Sequence, residues 1–118
     1  MKKFMAVFTG SQTSPSHAKW KAMDEKKRKE TEKAGMQAWM KWGEANAKSM
    51  VEHGGPLGKT KRIATDGISD ISNNLAGFTI VQAESHEAAA KLFLNHPHFT
   101  IFPGDAVEIM EILPVPTL

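Results

Sequence analysis

Apolar and polar residues follow two periods along the chain, and their succession predicts the element order β-α-β-β-α-β. Strands are predicted at residues 2–9, 60–65, 78–84 and 106–113. Asp24 is suited to cap a long helix that runs to about His53, and Ser85 to cap a second helix that ends at Asn95. Two βαβ halves that share one antiparallel sheet give a ferredoxin-like α+β fold with both helices on one face of the sheet.

The long helix is predicted to bury one side only. Its apolar positions are Met36, Trp39, Met40, Ala47, Met50 and Val51. Residues 25–33 are almost entirely polar, so they are expected to project past the core. Gly54-Gly55-Pro56 predicts the end of the helix, because glycine favours a C-cap and proline cannot continue a helix. Thr60–Thr65 is basic and is predicted to be an edge strand, since lysines protect sheet edges.

The predicted strands are apolar on both faces, which bears on the assembly. The first strand places Phe4, Ala6 and Phe8 on one face but Met5 and Val7 on the other, and strands 78–84 and 106–113 are similar. A sheet covered on one face only should alternate apolar with polar residues. A second sheet from an identical subunit is the simplest cover, so we predict a homodimer. The alternative is that β-prone residues tolerate exposure.

Length, composition and charge exclude several classes of protein. The 118 residues fit one domain spanning residues 1–118. The chain has no cysteine, which excludes disulfides, cysteine-based zinc sites and a thiol nucleophile. The net charge is +2, and acidic residues interleave with the lysines of residues 19–33, so no nucleic-acid partner is predicted. The apolar run Phe4–Phe8 is too short for a signal peptide, and no segment could span a membrane, so a cytoplasmic protein is expected.

Sequence motifs name no reaction. Gly58-Lys59-Thr60 resembles the end of a phosphate-binding loop, but His53 stands where that motif needs a glycine, and a strand is predicted to follow instead of a helix. The other short motifs of nucleotide-binding, hydrolase and metalloprotease sites are absent from the sequence. No cofactor is therefore predicted.

His96-Pro97-His98 is the most conspicuous cluster of chemically active residues. The favoured interpretation is that the two histidines end the second helix, where the negative end of the dipole suits them. Alternatively they line a pocket as an acid/base pair. A metal site is the third alternative, but nothing adjacent supplies a third ligand, so no metal is predicted.

Three further residues are candidates for a pocket. Gln82 and Glu108 share strand faces with apolar residues, so each either meets water at a strand end or lines a cavity. A carboxylate in a cavity could act as a general base. Trp39 fits packing better than stacking on a ligand. The pocket candidates are Trp39, Gln82, His96, His98 and Glu108, and no catalytic residue is assigned.

Four stretches of the chain together resemble the YCII-related family. They are residues 77–85, the helix 87–94, His96-Pro97-His98, and residues 108–116; Met36–Trp42 and residues 55–58 fit the same pattern. The family belongs with the dimeric α+β barrels, so the resemblance implies a ferredoxin-like fold and a dimer whose sheets face each other. It implies little chemistry, since most of the family has no established activity.

The sequence departs from that family at two places. Many relatives carry Asp-Gly-Pro-Phe in the central loop, where this chain has Asp66-Gly67-Ile68-Ser69. Some relatives use a His–Asp pair with the histidine on the first helix, and no histidine lies within Met36–Met50, so that pair is not carried over.

Two functions are compatible with these features. The first is a small-molecule-binding domain or small enzyme, with a pocket between the helix layer and the sheet or in the barrel between subunits. The alternative is a non-catalytic protein-interaction or regulatory module that uses the basic segment Lys19–Lys33 as its partner surface.

Overall fold

The structure is a computed structural model that describes residues 1–117, so Leu118, the last residue of the predicted domain, lies outside the described residues. The elements are β1 Lys2–Thr9, α1 Pro15–Ala22, α2 Glu25–Ala45, β2 Met50–Pro56, β3 Thr60–Ala64, β4 Gly67–Ile71, β5 Leu75–Ala83, α3 His86–Lys91, α4 Pro97–Thr100 and β6 Ala106–Glu111. A 3₁₀ turn, Ala47–Ser49, joins α2 to β2. None of the helices in this part of the chain is both long and apolar enough to cross a membrane.

Four strands form one antiparallel sheet in the order β2-β5-β1-β6, with the helices on one face. This confirms the predicted α+β ferredoxin-like fold. The central strand β1 pairs Ala6 with Thr79 of β5 and with Ile109 of β6. The buried apolar residues that form the core are Phe4, Ala6, Phe8, Val81, Ala83, Ala89 and Phe93. The core therefore lies between the helices and one face of the sheet.

The predicted second strand of the sheet was wrong. Residues 60–64 do form a strand, but it pairs with β4 in a separate two-stranded hairpin whose turn is Thr65-Asp66. The edge position next to β5 belongs instead to β2, Met50–Pro56. The hairpin is thus an insertion between the second and third strands of the ferredoxin-like sheet.

The long helix is also shorter than predicted, because it ends at Ala45 and not near His53. Asn46 is its C-cap, and the Asn46 side-chain amide donates to the carbonyl of Trp42. The apolar residue Met50 fits the helical period, yet it lies in β2 opposite Val81 and packs on the core. A strand and a helix can both place an apolar residue at that position, so periodicity alone did not separate them.

The remaining boundaries follow the local signals closely. Asp24 caps α2, and the side chain of Ser85 caps α3 by accepting from the amide of Ala88. Regular helix stops at Lys91, and turns continue to Asn95, whose φ of 58° ends the segment. β6 ends at Glu111, two residues before the predicted Leu113.

The second face of the sheet is uncovered in the single chain. Met5, Val7 and Ile80 lie there half-buried, and Met110 and Ile112 are each 43% exposed. The Cα atoms extend over 57 × 43 × 19 Å, and the shortest dimension, 19 Å, corresponds to one sheet and one layer of helices. The two-faced apolar pattern of the strands is therefore real, and one chain buries only half of it.

Candidate functional site

A cavity of about 770 Å³ lies between α2 and the sheet. Its walls are mainly aromatic and methionine side chains. These are Phe8, Trp39, Trp42, Phe102, Met36, Met40 and Met50. Met36 and Met40 are 55% and 63% exposed, so they form the outer rim on α2. Gly54, Gly55 and Pro56 of β2 form the rim on the sheet side.

The aromatic walls come from three parts of the chain. Trp39 and Trp42 are one helical turn apart on α2, so they face the sheet together. Phe8, near the end of β1, packs against Trp39 at 5.0 Å between ring centroids. Phe102 follows α4 and lies directly on Gly35, where a Cβ atom would collide with its ring. A glycine in the middle of α2 is thus what allows Phe102 to close the cavity.

His96-Pro97-His98 begins a helix instead of ending one. His96 is the N-cap of α4, with φ −62° and ψ 142°, and Pro97 is the first helical residue. Proline favours an extended residue before it and is well suited to the first helical position, so the tripeptide itself specifies this geometry. The predicted helix-end role beside α3 is therefore wrong. Both imidazoles are buried, His96 at 0% and His98 at 8% exposure.

The imidazole of His96 lies between two tryptophans. Its ring centroid is 4.4 Å from that of Trp39 and 4.6 Å from that of Trp42, in edge-to-face geometry. Burial, and after it the proximity of His98, lowers the pKa of His96 from 6.5 to about 4. His96 is therefore neutral at pH 7. Its Nδ1 accepts a hydrogen bond from the backbone amide of His98 at 3.0 Å, so the proton is on Nε2.

That Nε2–H group is enclosed and has no hydrogen-bond partner in the described chain. A buried donor without an acceptor is costly, and an N–H directed at an aromatic face offsets only part of the cost. The packing of the His96 ring therefore holds the side chain in this position even though its Nε2–H is left without a hydrogen bond.

The second histidine, His98, is held in one tautomer by the backbone. Its Nε2 lies 2.7 Å from the carbonyl oxygen of Thr9, and because a carbonyl only accepts, Nε2 carries the proton. Gly104 lies against the same ring nitrogen, where a side chain would collide with it. His98 lines the cavity, and among residues 1–117 its Nδ1 has no hydrogen-bond partner. One nitrogen of this cavity-lining ring is therefore unpaired and can accept a hydrogen bond.

The other polar groups around the cavity are few. Glu44 and His53 lie on its lining with Thr79, and none of the described lining residues is a lysine or an arginine. The hydroxyl of Thr79 donates to the carbonyl of Glu52. Residues 1–117 contain no cluster of three histidine, aspartate or glutamate side chains that could hold a metal ion. The side chains that could accept a hydrogen bond or a proton at the cavity are thus Glu44, His53 and His98, and of these only His98 is buried.

The five predicted pocket residues are divided between two faces of the sheet. Trp39 and His98 line the cavity, and His96 lies directly behind them. Gln82 and Glu108 lie on the opposite, open face, opposite Lys3 and Val7 of β1. The side chain of Gln82 donates to the carbonyl of Lys48, and Glu108 is exposed. One chain therefore does not bring all five together.

Sequence reasoning missed three contributors to the cavity. Phe8 was assigned only to the core face of β1, and Phe102 and Gly104 were assigned to a loop. An aromatic residue next to Pro103-Gly104, close after a histidine pair, is a signal that could have drawn attention to this loop. The Thr9 carbonyl that fixes His98 has no sequence signal, because every residue has a carbonyl.

A second groove, of about 710 Å³, lies at the base of the β3–β4 hairpin. Its lining combines the polar residues Lys59, Lys61 and Asn73 with the apolar residues Leu57, Ile71 and Leu75. Lys61 is paired with Asp70 at 2.7 Å. None of the predicted pocket residues lies there, and the aromatic cavity remains the candidate site.

Comparison with known proteins agrees with the fold. No family model matches the chain, and no curated protein sequence matches it. One similar solved structure is 5-chloro-2-hydroxyhydroquinone dehydrochlorinase from Burkholderia phenoliruptrix AC1100, in complex with 2,5-dihydroxybenzoquinone. The TM-score is 0.52 at 15% sequence identity, over 92% of this chain and 90% of that chain. At this identity the match shows the fold alone, an α+β arrangement with helices on one face of an antiparallel sheet, and the YCII relationship stays a prediction.

Proposed function

We propose that this protein binds a small hydroxylated ring compound in the cavity between α2 and the sheet, and that His98 takes up the hydroxyl proton. The observation that carries the proposal is the free Nδ1 of His98 in an otherwise aromatic and thioether-lined cavity. A ligand there would be either held through a hydrogen bond or activated through deprotonation. The protein is accordingly a small-molecule-binding protein or a small enzyme that uses general-base chemistry.

The composition of the cavity supports this class of ligand. Its volume falls in the range of about 300–1,000 Å³ that suits small organic molecules. Tryptophan and phenylalanine side chains contact flat rings well. The lining contains no lysine or arginine to neutralise a phosphate or carboxylate, so a neutral ligand is favoured. A neutral ring with an acidic hydroxyl can give its proton to His98 and leave an anion beside the imidazolium.

The similar solved structure supports the same proposal at the level of the fold. That dehydrochlorinase is in complex with a hydroxylated quinone. A related fold therefore accommodates a hydroxylated ring of this size and shape. The reaction itself is not transferred, because nothing in the comparison identifies the catalytic residues of this chain.

Binding of hydroquinone, a hydroxylated ring that is neutral at pH 7, followed by isothermal titration and thermal shift, tests the proposal. The wild-type protein should be stabilised by the compound. His98→Ala should weaken binding by about tenfold or more, the equivalent of roughly 1.4 kcal/mol. His17→Ala is the matched control, since His17 lies outside the cavity lining. Absence of binding to wild type, or equal binding by His98→Ala and wild type, would show that the proposed role of His98 is wrong.

We also propose that the chain forms a homodimer through the open face of its sheet. The support is the uncovered apolar set on that face, which includes Met5, Ile80 and Met110. In this dimer Gln82 and Glu108 would lie in the barrel between the two sheets, where a second polar site could form. Light scattering at micromolar concentration should then give twice the 13.0 kDa monomer mass.

The alternative function, a non-catalytic interaction module, is favoured by a different observation. Ile63 and Ile68 face each other across the β3–β4 hairpin and are 72% and 73% exposed. An isolated two-stranded hairpin is marginally stable by itself, so a partner surface would help to hold it. If wild type fails to bind ring compounds while Ile63→Ser abolishes association with another protein, this second function replaces the first.

A further inference from the structure

We infer that His96 is a positioning residue of the cavity: its Nδ1 fixes His98, and its ring separately fixes Trp39. This inference rests on the proposed function for its biological purpose, but the two contacts are independent of any ligand. One contact is the hydrogen bond from the His98 amide to His96 Nδ1, at 3.0 Å. The other is the edge-to-face packing of His96 on Trp39, at 4.4 Å between centroids.

The hydrogen bond places the base. His98 is the second residue of α4, and the N-cap side chain is the usual acceptor for an amide at that position. α4 has only four residues, so this bond is a large part of what holds it. The direction of the His98 side chain depends on the first turn of α4. Loss of the His96 acceptor should therefore move His98 Nδ1 away from the cavity.

The ring places the wall. His96 separates Trp39 from Trp42, and the indole nitrogen of Trp42 is itself fixed by a hydrogen bond to the carbonyl of Leu92. Trp39 has no such bond within the described chain, and the His96 ring is the nearest aromatic neighbour that holds it. A smaller residue at position 96 should leave space behind Trp39, which would then rotate.

A residue chosen only for capping would not need an imidazole. Asparagine caps helices at least as well and has no ring. A residue chosen only for packing would be apolar. His96 combines a cap acceptor with an aromatic ring, and the unpartnered Nε2–H follows from that combination. This is why we assign both roles to one side chain.

Two variants separate the roles. His96→Asn keeps a cap acceptor and removes the ring, while His96→Phe keeps a ring and removes the acceptor. In His96→Asn the exchange of the His98 amide with solvent should stay as slow as in wild type, and the indole NMR signals of Trp39 should shift or broaden. In His96→Phe the Trp39 signals should be preserved, and the amide should exchange about tenfold faster or more.

The same two variants report on the cavity when hydroquinone is the probe. Both should bind it about tenfold more weakly than wild type, whereas His17→Ala should bind it normally. If wild type does not bind this probe, the proposed function fails, and the exchange and NMR measurements still decide the role of His96. If His96 were a purely structural residue, each variant would change the His98 amide exchange and the Trp39 signals together, or would change neither. Either result would overturn the inference.

Discussion

Gly104 shows how closely one residue controls the base at the cavity. It supports the His98 ring, and its amide also donates to the His98 carbonyl at 2.9 Å. Gly104→Ala should push the imidazole from the Thr9 carbonyl and destabilise the fold by about 1–3 kcal/mol through overpacking. Urea denaturation measures the loss, and the binding of hydroquinone should fall with it. Gly10→Ala is the matched control, because a Cβ atom there meets only ordinary contacts. Equal stability of the two variants would contradict the close packing of Gly104 on His98.

The buried His96 should make stability depend on pH. Its pKa is about 4 in the folded protein and 6.5 when unperturbed, so between these values the unfolded chain binds a proton that the folded chain does not. Stability due to neutral His96 is complete above pH 6.5 and is lost as the pH falls towards 4. The loss at pH 4 should reach at most about 3 kcal/mol. Urea denaturation from pH 7 to 4 measures it, and His96→Phe should show a shallower decline. The same decline in both proteins would assign the pH dependence to other groups.

At the residue scale the sequence drew attention to His96-Pro97-His98, which the structure places in and directly behind the cavity wall. His96 and His98 stand out in the sequence because a single proline separates two titratable imidazoles. Their burial could not be foreseen, since the Thr9 carbonyl is 89 residues away from His98 in sequence. Gln82 and Glu108 were singled out because they share strand faces with apolar residues, and they lie on the open face because a strand alternates its side chains. A polar residue among apolar ones thus marks a face, and the tertiary fold decides what that face meets.

Among the elements, β2 depends most on a single backbone conformation. Gly54 has φ of +63°, and a Cβ atom there would collide with the carbonyl of Phe78 on the neighbouring strand. Gly54→Ala should therefore destabilise the protein by about 2 kcal/mol or more, and should distort the sheet-side rim of the cavity. Gly55→Ala is the control, because a Cβ atom at that position meets nothing within 4 Å. Thermal unfolding compares them. Similar melting temperatures would mean that β2 does not need the left-handed glycine.

The same strand shows why the elements were only partly predictable. Asp24 and Ser85 were predicted to cap the starts of their helices, and the structure confirms both caps. Gly54-Gly55-Pro56 was interpreted as the stop of a helix, yet it lies within β2, where the pairing with β5 is irregular. Glycine and proline tell where regular structure is interrupted, but an irregular edge strand and a helix end use the same residues. Only the pairing partner, β5, distinguishes them.

For the whole molecule, the strand pattern predicted the overall fold correctly but placed one of the four sheet strands in the wrong segment. The ferredoxin-like sheet was expected although one of its four strands was assigned to the wrong segment, because the two-faced apolar pattern of β1, β5 and β6 specifies three adjacent strands. The hairpin could not be recognised as an insertion, since its basic, alternating sequence suits any edge. The strand pattern of a single chain shows that the open face is apolar, but it does not show what covers that face.

Two isoleucine variants on opposite faces of the sheet test the dimer. Ile80 of β5 lies on the open face, and Ile109 of β6 packs against the core under the helices. Ile80→Glu should place a charge in the subunit interface and give a folded monomer in sedimentation at micromolar concentration, where wild type sediments as a dimer. Ile109→Glu should bury an unpaired charge within one chain and lower its stability by about 2–3 kcal/mol or more. Its loss of stability should not depend on dissociation, so urea unfolding should show it at every protein concentration.

Wild type that sediments as a monomer would refute the dimer. If wild type and Ile80→Glu both sediment as dimers, the interface does not lie on this face of the sheet. A glutamate at position 80 could not be accommodated between two packed apolar sheets without a compensating positive charge.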